Sequence, residues 1–164
     1  MFSSFTIRRL LPALLASLVM ASGCSSLSPY SDMTKVDLSL RGGDRLNPDI
    51  NDRPSPIVLQ LIELKNPVAF EHADFFSLYQ RPREVLAPDL VAIEELELRP
   101  GEERSYKLSA APESRYLAVL AAYRDLPQAQ WRIVVPLSSE ERNEVALLLD
   151  EHGIRALDSD QEED

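Results

Sequence analysis

Alternating apolar and polar residues predict β-strands along most of the chain. Between residues 35 and 40, Val36, Leu38 and Leu40 share one face and polar side chains share the other, as in a half-buried strand. Residues 57–64 form an apolar run broken by only two polar side chains, which predicts a central strand covered on both faces for part of its length. The remaining predicted strands are 95–98, 105–108, 116–123 and 131–135.

A helical segment interrupts the strands between residues 67 and 87. The pair Asn66-Pro67 suits a helix start, with Asn as the N-cap and Pro at the first helical position. Phe75, Leu78 and Tyr79 then share one helical face through their i, i+3, i+4 spacing. We interpret this aromatic face as the side that docks on a sheet; the alternative is a box that binds a small ligand.

A long irregular stretch, residues 41–56, separates the first two predicted strands. Two glycines and three prolines exclude a regular element there. Loops of this length are uncommon in compact domains and are often functional. The alternative is a loop that its prolines merely hold in shape. A shorter connection at Pro100-Gly101 suits the central positions of a type II turn.

The C-terminal part permits two interpretations. Ser138 and Glu141 resemble a capping box and Gly153 suits a helix end, which together favour a helix. Alternatively, residues 145–149 and 154–157 are two strands joined by a turn. The local pattern alone leaves both open.

The N-terminus has the features of a secreted lipoprotein. Two arginines precede the apolar run 10–20, and the small residues 21–23 then lead to Cys24, the only cysteine. This order predicts a signal peptide over 1–23. The run is shorter than the roughly 20 apolar residues that a membrane-spanning helix needs. The site resembles a bacterial lipobox, so we expect a covalent lipid on Cys24, where two or more acyl chains give stable anchoring.

The predicted mature chain divides into a tether, one domain and a tail. Residues 24–34 are small and polar and indicate a flexible tether. Residue 25 is Ser rather than Asp, which favours the outer membrane under the sorting rule for lipoproteins of two-membrane bacteria. Residues 35–157 suit one domain. Residues 158–164 carry five acidic side chains and are expected to be disordered.

Charge and motif content narrow the possible functions. The formal net charge of the 164 residues is −10, and signal cleavage would remove two arginines. Such acidity argues against nucleic acid and anionic lipid surfaces as partners. The two histidines, His72 and His152, belong to no metal-binding or catalytic motif, and no phosphate-binding loop is present. We therefore predict no enzyme, no metal site and no cofactor besides the lipid on Cys24.

Several short segments resemble one known family. They lie at 46–49 (Leu-Asn-Pro-Asp), 53–56 (Arg-Pro-Ser-Pro), 73–79, 95–102, 115–116 and 122–125. Their order and spacing, together with the lipobox, resemble the TssJ (VasD) family of type VI secretion system outer-membrane lipoproteins. The resemblance implies a mainly β fold, a two-sheet β-sandwich with a small helical insertion. It also favours the hairpin over the helix for residues 138–157.

The resemblance further implies a structural role. Family members anchor the trans-envelope secretion complex to the outer membrane by binding the periplasmic C-terminal region of TssM, largely through the loop between the first two strands. On this chain the expected partner-binding residues are Arg41, Gly42, Gly43, Asp44, Arg45, Leu46 and Asn47. We expect residues 42–46 to form the exposed tip of this loop. The alternative function is a lipid-anchored periplasmic module that binds a small ligand at the aromatic cluster around Phe75. We expect no small-molecule substrate.

Overall fold

Two four-stranded sheets form a β-sandwich in the computed structural model, which describes residues 33–157. The strands are β1 Thr34–Gly42, β2 Ile57–Leu64, β3 Leu90–Leu98, β4 Glu103–Ala110, β5 Tyr116–Ala121, β6 Arg132–Pro136, β7 Arg142–Asp150 and β8 Gly153–Ala156. The helices are α1 Val68–His72, α2 Phe75–Gln80 and α3 Pro82–Val85. The predicted signal peptide 1–23, Cys24, nearly all of the tether and the acidic tail 158–164 lie outside the described residues.

The first sheet has the strand order β4-β1-β7-β8. β1 pairs antiparallel with β4 and parallel with β7, and β7 turns back into β8. Val36, Leu38 and Leu40 of β1 are buried, as their alternation predicts. The hairpin interpretation of the C-terminal part is therefore confirmed and the helix excluded. Pairing with β1 and burial of Val145 and Leu147 outweigh the local helix-capping signal.

The second sheet has the order β3-β2-β5-β6, with every neighbouring pair antiparallel. The alternate residues of β2 that face the first sheet, Ile57, Leu59 and Leu61, join the core between the sheets. Ile62 and Leu64 belong instead to a second apolar cluster, beneath the helices. Both faces of β2 are thus covered, as its apolar run predicts.

The turn between β3 and β4 joins the two sheets. The N–H of Glu102 donates to the carbonyl O of Arg99 at 3.1 Å, and Gly101 has φ +70°. These are the features of the predicted type II turn, with Pro100 and Gly101 at its centre. The two strands do not pair with each other, because β3 lies in the second sheet and β4 in the first.

The helical insertion covers the outer face of the second sheet. Phe70, Leu78 and Leu86 are fully buried against apolar side chains of β2 and β5. The side chain of Asn66 accepts a hydrogen bond from the N–H of Val68 at 3.1 Å, but the N-cap position is taken by Pro67, so the first helix begins one residue later than predicted and Asn66 is not its N-cap. None of the helices within residues 33–157 is long and apolar enough to cross a membrane.

Candidate functional site

Four connections meet at one end of the sandwich, which we call the loop end: residues 43–56, 99–102, 122–131 and 151–152. The N–H of Gly43 donates to Leu149 O at 2.7 Å, and the N–H of Gly101 donates to Gly42 O at 3.0 Å. The β1–β2 loop, residues 43–56, is thus held against the β3–β4 turn and the β7–β8 hairpin. It contains most of the residues that the sequence associates with a partner.

The first part of the β1–β2 loop is built into the core. Leu46 is fully buried between the sheets, and its carbonyl accepts a hydrogen bond from the N–H of Ser55 at 3.0 Å. Gly42, the last residue of β1, is also buried, and a Cβ there would overlap the backbone carbonyl of Arg99. This segment therefore has a packing role that its position in a polar loop did not suggest.

Asn47 connects three segments of the loop end. Its side chain is 3% exposed; the amide nitrogen donates to Pro56 O at 3.0 Å, and the amide oxygen accepts from the N–H of Arg124 at 2.9 Å. Its φ of +45° lies in the left-handed region, which Asn tolerates better than most residues. Asn47 thus fixes where the loop begins, where it ends and how it meets the β5–β6 connection.

The loop tip, residues 49–53, is a closed turn. The N–H of Asp52 donates to Asp49 O and the N–H of Asp49 donates to Arg53 O, both at 2.9 Å. Asp52 has φ +58°, as in three-residue loops that combine a type I turn with a left-handed residue. Two backbone hydrogen bonds within the tip therefore close it.

The Asp49 carboxylate locks this tip. Its Oδ1 accepts from the N–H groups of Asn51 at 2.8 Å and Arg53 at 3.0 Å, and its Oδ2 lies 2.7 Å from the Arg53 guanidinium. The hydrogen bond from the Arg53 side chain, followed by those two backbone bonds, lowers the pKa of Asp49 to about 2. The carboxylate is consequently charged throughout the physiological pH range. Its hydrogen bonds and its ion pair with Arg53, which we call the Asp49–Arg53 clamp, therefore stay formed over that range.

Ile50 occupies the outermost position of the clamped tip, and its side chain is fully exposed. Next to it lie the exposed Asn51 and Asp52. The loop therefore presents an apolar group on an ordered turn.

The seven expected partner-binding residues divide into exposed and buried groups. Asp44 and Arg45 are exposed, and Arg45 Nε lies 3.7 Å from the carboxylate of Glu151. Arg41 belongs to β1 and pairs with Glu103 at 2.6 Å. Gly43 is half-buried.

The expectation of an exposed tip at 42–46 requires correction. The buried residues of the set, Gly42, Leu46 and Asn47, offer almost no side-chain surface to a partner, because they pack in the core or bond to other loops. The exposed tip lies instead at residues 49–53. Contact of this loop with a partner stays a prediction.

The aromatic face of the insertion packs against the sheet. The Phe75 ring stacks on Tyr79 and meets the edge of Trp131, each with ring centroids 5.4 Å apart. Arg132 lies over Trp131 and donates to the carbonyl of Phe70 in α1 and to that of Ala73, which directly follows α1. These contacts are those of a docking face, as predicted.

Cavities and ligating groups give little support to a small-ligand site. A cavity of about 70 Å³ at the β3–β4 side is lined by residues of both sheets, among them Leu61, Glu63 and Leu108. Ligand pockets usually enclose roughly 300–1,000 Å³. Within residues 33–157, no three Asp, Glu, His or Cys side chains are grouped as a metal site would need.

The fold and the site together define a small β-sandwich domain whose candidate site is a set of loops rather than a cleft. The chain belongs to the type VI secretion lipoprotein family (VasD, EvfM, TssJ), whose model matches residues 34–152. The family resemblance and the fold predicted from the sequence are therefore confirmed. Members of this family are lipoproteins of type VI secretion.

Solved structures agree with this assignment. The type VI lipoprotein TssJ1 from Pseudomonas aeruginosa is 35% identical, with a TM-score of 0.74 over 76% of this chain and 95% of that chain. Lip from Serratia marcescens, a membrane-bound component of the type VI secretion system, is 25% identical, with a TM-score of 0.71 over 76% and 98%. A chain of a type VI membrane complex shares the fold, with 21% identity and a TM-score of 0.68 over 77% and 99%. No curated protein sequence matches the chain significantly.

Proposed function

We propose that this protein is an outer-membrane lipoprotein that anchors the type VI trans-envelope complex by binding the periplasmic C-terminal region of TssM through the loop end. The lipid is attached to Cys24, which lies ten residues before the first strand. The role is structural, without catalysis.

The position of the β1–β2 loop carries this proposal. The chain enters the sandwich at Thr34, the first residue of β1, and the loop leaves it after Gly42, the last. The two points are the ends of a nine-residue strand, so eight steps of roughly 3.3 Å separate them by about 26 Å. A domain tethered through Thr34 therefore has its loop end free to meet a periplasmic partner.

Removal of the loop tip tests the contact. Replacing residues 49–53 by two glycines removes Ile50 and the clamp and leaves Leu46 and Asn47 in place. We expect the melting temperature to change little, because the Asp49 clamp bonds lie within the tip, and affinity for purified periplasmic TssM to fall at least tenfold. Wild-type affinity would place the contact elsewhere, with the helical insertion near Phe76 as the next candidate.

Arg45 provides an electrostatic test of the same surface. It is an exposed cation on a strongly acidic chain, so we expect it to face acidic groups of TssM. Arg45→Glu should slow association more than it speeds dissociation, and the effect should shrink as salt rises. Arg83→Glu on α3 is the matched control, since it makes the same charge change on the helical insertion. Equal effects of the two variants would indicate net charge alone and argue against a contact at Arg45.

A further inference from the structure

Ile50 differs from the other exposed apolar side chains in the described part of the chain. Met33, Val68 and Phe76 are 49%, 55% and 61% exposed, so each keeps a large part of its surface against the domain. Ile50 is 100% exposed and contributes no packing to the folded domain. Its side chain therefore has no role in stabilising the fold.

The turn itself does not require isoleucine. The hydrogen bonds that close the tip come from the Asp49 carboxylate and from backbone groups, and the left-handed position is taken by Asp52. Turns of this kind favour Asp, Asn, Gly, Ser and Pro, and a β-branched residue brings no advantage to them. The apolar group at position 50 is therefore explained neither by packing nor by the turn.

The tip is already ordered before any partner arrives. The Asp49–Arg53 clamp closes it, and Asn47 fixes the loop below it to Pro56 and Arg124. Binding through such a loop loses little conformational entropy, because few backbone angles remain to be fixed. A rigid turn that presents one aliphatic side chain is suited to insertion into a preformed pocket.

We propose that Ile50 is the apolar anchor of the loop end and inserts into an apolar pocket of the partner, with the polar neighbours Asn51, Asp52 and Arg53 at the rim of that pocket. Such an arrangement of an aliphatic anchor within a polar rim is common at protein interfaces. The inference rests on the proposed function, since the pocket belongs to the periplasmic region of TssM. Beyond the identity of the partner, it states that the centre of the contact is hydrophobic.

Two nearly isosteric variants test the anchor. Val and Thr side chains have nearly the same shape, but Thr has a hydroxyl where Val has a methyl. Comparing Ile50→Val with Ile50→Thr therefore separates the effect of polarity from that of size. We expect Ile50→Val to bind periplasmic TssM within about fivefold of wild type, and Ile50→Thr to bind about tenfold more weakly than Ile50→Val. Ile50→Ala should weaken binding by on the order of 10- to 100-fold.

The melting temperatures of the variants and the salt dependence of their binding provide the controls. All three variants should melt at the wild-type temperature, because the side chain touches nothing in the free domain, and Phe76→Ala should bind as wild type. The loss in Ile50→Ala should be the same at low and high salt, unlike that of Arg45→Glu.

The outcomes separate this inference from the proposed function. If the tip replacement abolishes binding but Ile50→Ala and Ile50→Thr bind like wild type, the loop contacts TssM and the apolar anchor is wrong. If the tip replacement itself binds normally, the proposed contact is wrong as well. Equal affinities of the Val and Thr variants, both reduced, would indicate a size requirement and overturn the apolar pocket.

Discussion

At the scale of single residues, two buried polar atoms lack hydrogen-bond partners within residues 33–157: Gln60 Oε1 and the hydroxyl of Tyr123. Tyr123 is 4% exposed and lies in the core between the sheets. Burial, and then the negative charge of Asp150, raise the pKa of this phenol. A buried hydroxyl without a partner loses its hydration and gains nothing in exchange, so it destabilises the fold.

We therefore expect Tyr123→Phe to stabilise the domain. The ring and its packing remain, and only the unpaired hydroxyl is removed, which should raise the free energy of unfolding by about 1 kcal/mol. Urea unfolding of the purified domain measures this change. Tyr106→Phe is the control, because its hydroxyl lies 3.5 Å from an Arg104 nitrogen and its loss should not stabilise. A destabilised Tyr123→Phe would show that the hydroxyl has a partner.

The same residue predicts a pH dependence. A tyrosine in the unfolded chain ionises near pH 10, whereas folded Tyr123 resists ionisation until a higher pH. Ionisation of Tyr123 thus leaves the free energy of unfolding unchanged below about pH 10 and lowers it as pH rises further, because the unfolded chain loses this proton first. The free energy of unfolding of wild type should fall more steeply above about pH 10 than that of Tyr123→Phe. Parallel curves for the two proteins would contradict the raised pKa.

At the scale of elements, the sequence predicts where the β1–β2 loop lies but not how the loop is arranged. Glycines and prolines located the loop, but its internal arrangement depends on residues far away in sequence. Asn47 bonds to Arg124, 77 residues later, and Leu46 enters a core formed by both sheets. The exposed tip was therefore predicted seven residues too early, because a polar neighbourhood gives no sign that Leu46 is buried.

Asn47 should stabilise the loop, which a comparison of two asparagines tests. Asn47→Ala leaves Pro56 O and the N–H of Arg124 without partners and places Ala in the left-handed region, so it should cost about 2–3 kcal/mol of unfolding free energy. Asn51→Ala, in the same loop, removes an exposed side chain and should cost less than about 0.5 kcal/mol. Equal, small losses in urea unfolding would contradict the role of Asn47.

The helical insertion offers a second matched pair. Phe75 packs on Tyr79 and Trp131, whereas its neighbour Phe76 is largely exposed. Because Phe75 is only half-buried, Phe75→Ala should lower the free energy of unfolding by about 2–3 kcal/mol, somewhat less than the loss of a fully buried ring would. Phe76→Ala should lower it by less than about 1 kcal/mol. Chemical unfolding of both variants measures the difference. A larger cost for Phe76→Ala would reverse the assignment of the docking face.

At the scale of the whole molecule, the sheet order could not be obtained from local patterns. β1 and β7 pair in parallel although about 100 residues separate them, and no short-range signal specifies that partnership. The same distance explains why residues 138–157 were ambiguous: their capping box is local, while the competing strand is stabilised by β1. The family resemblance supplied the two-sheet architecture and favoured the C-terminal hairpin, but the order of the strands came from the structure alone.

Anchoring and partner binding should be separable by mutation. Cys24 lies outside the described residues, and the domain of residues 33–157 contains its own core. We expect Cys24→Ser to remain uncut or become soluble and to abolish type VI secretion, while its domain melts and binds periplasmic TssM as wild type does. Ser25→Asp should keep the lipid but retain the protein in the inner membrane, with the same loss of secretion. Membrane fractionation, a secretion assay and a binding isotherm on each variant test these outcomes. Cys24→Ser found in the outer membrane with normal secretion would show that the protein is held there by something other than a lipid on this residue.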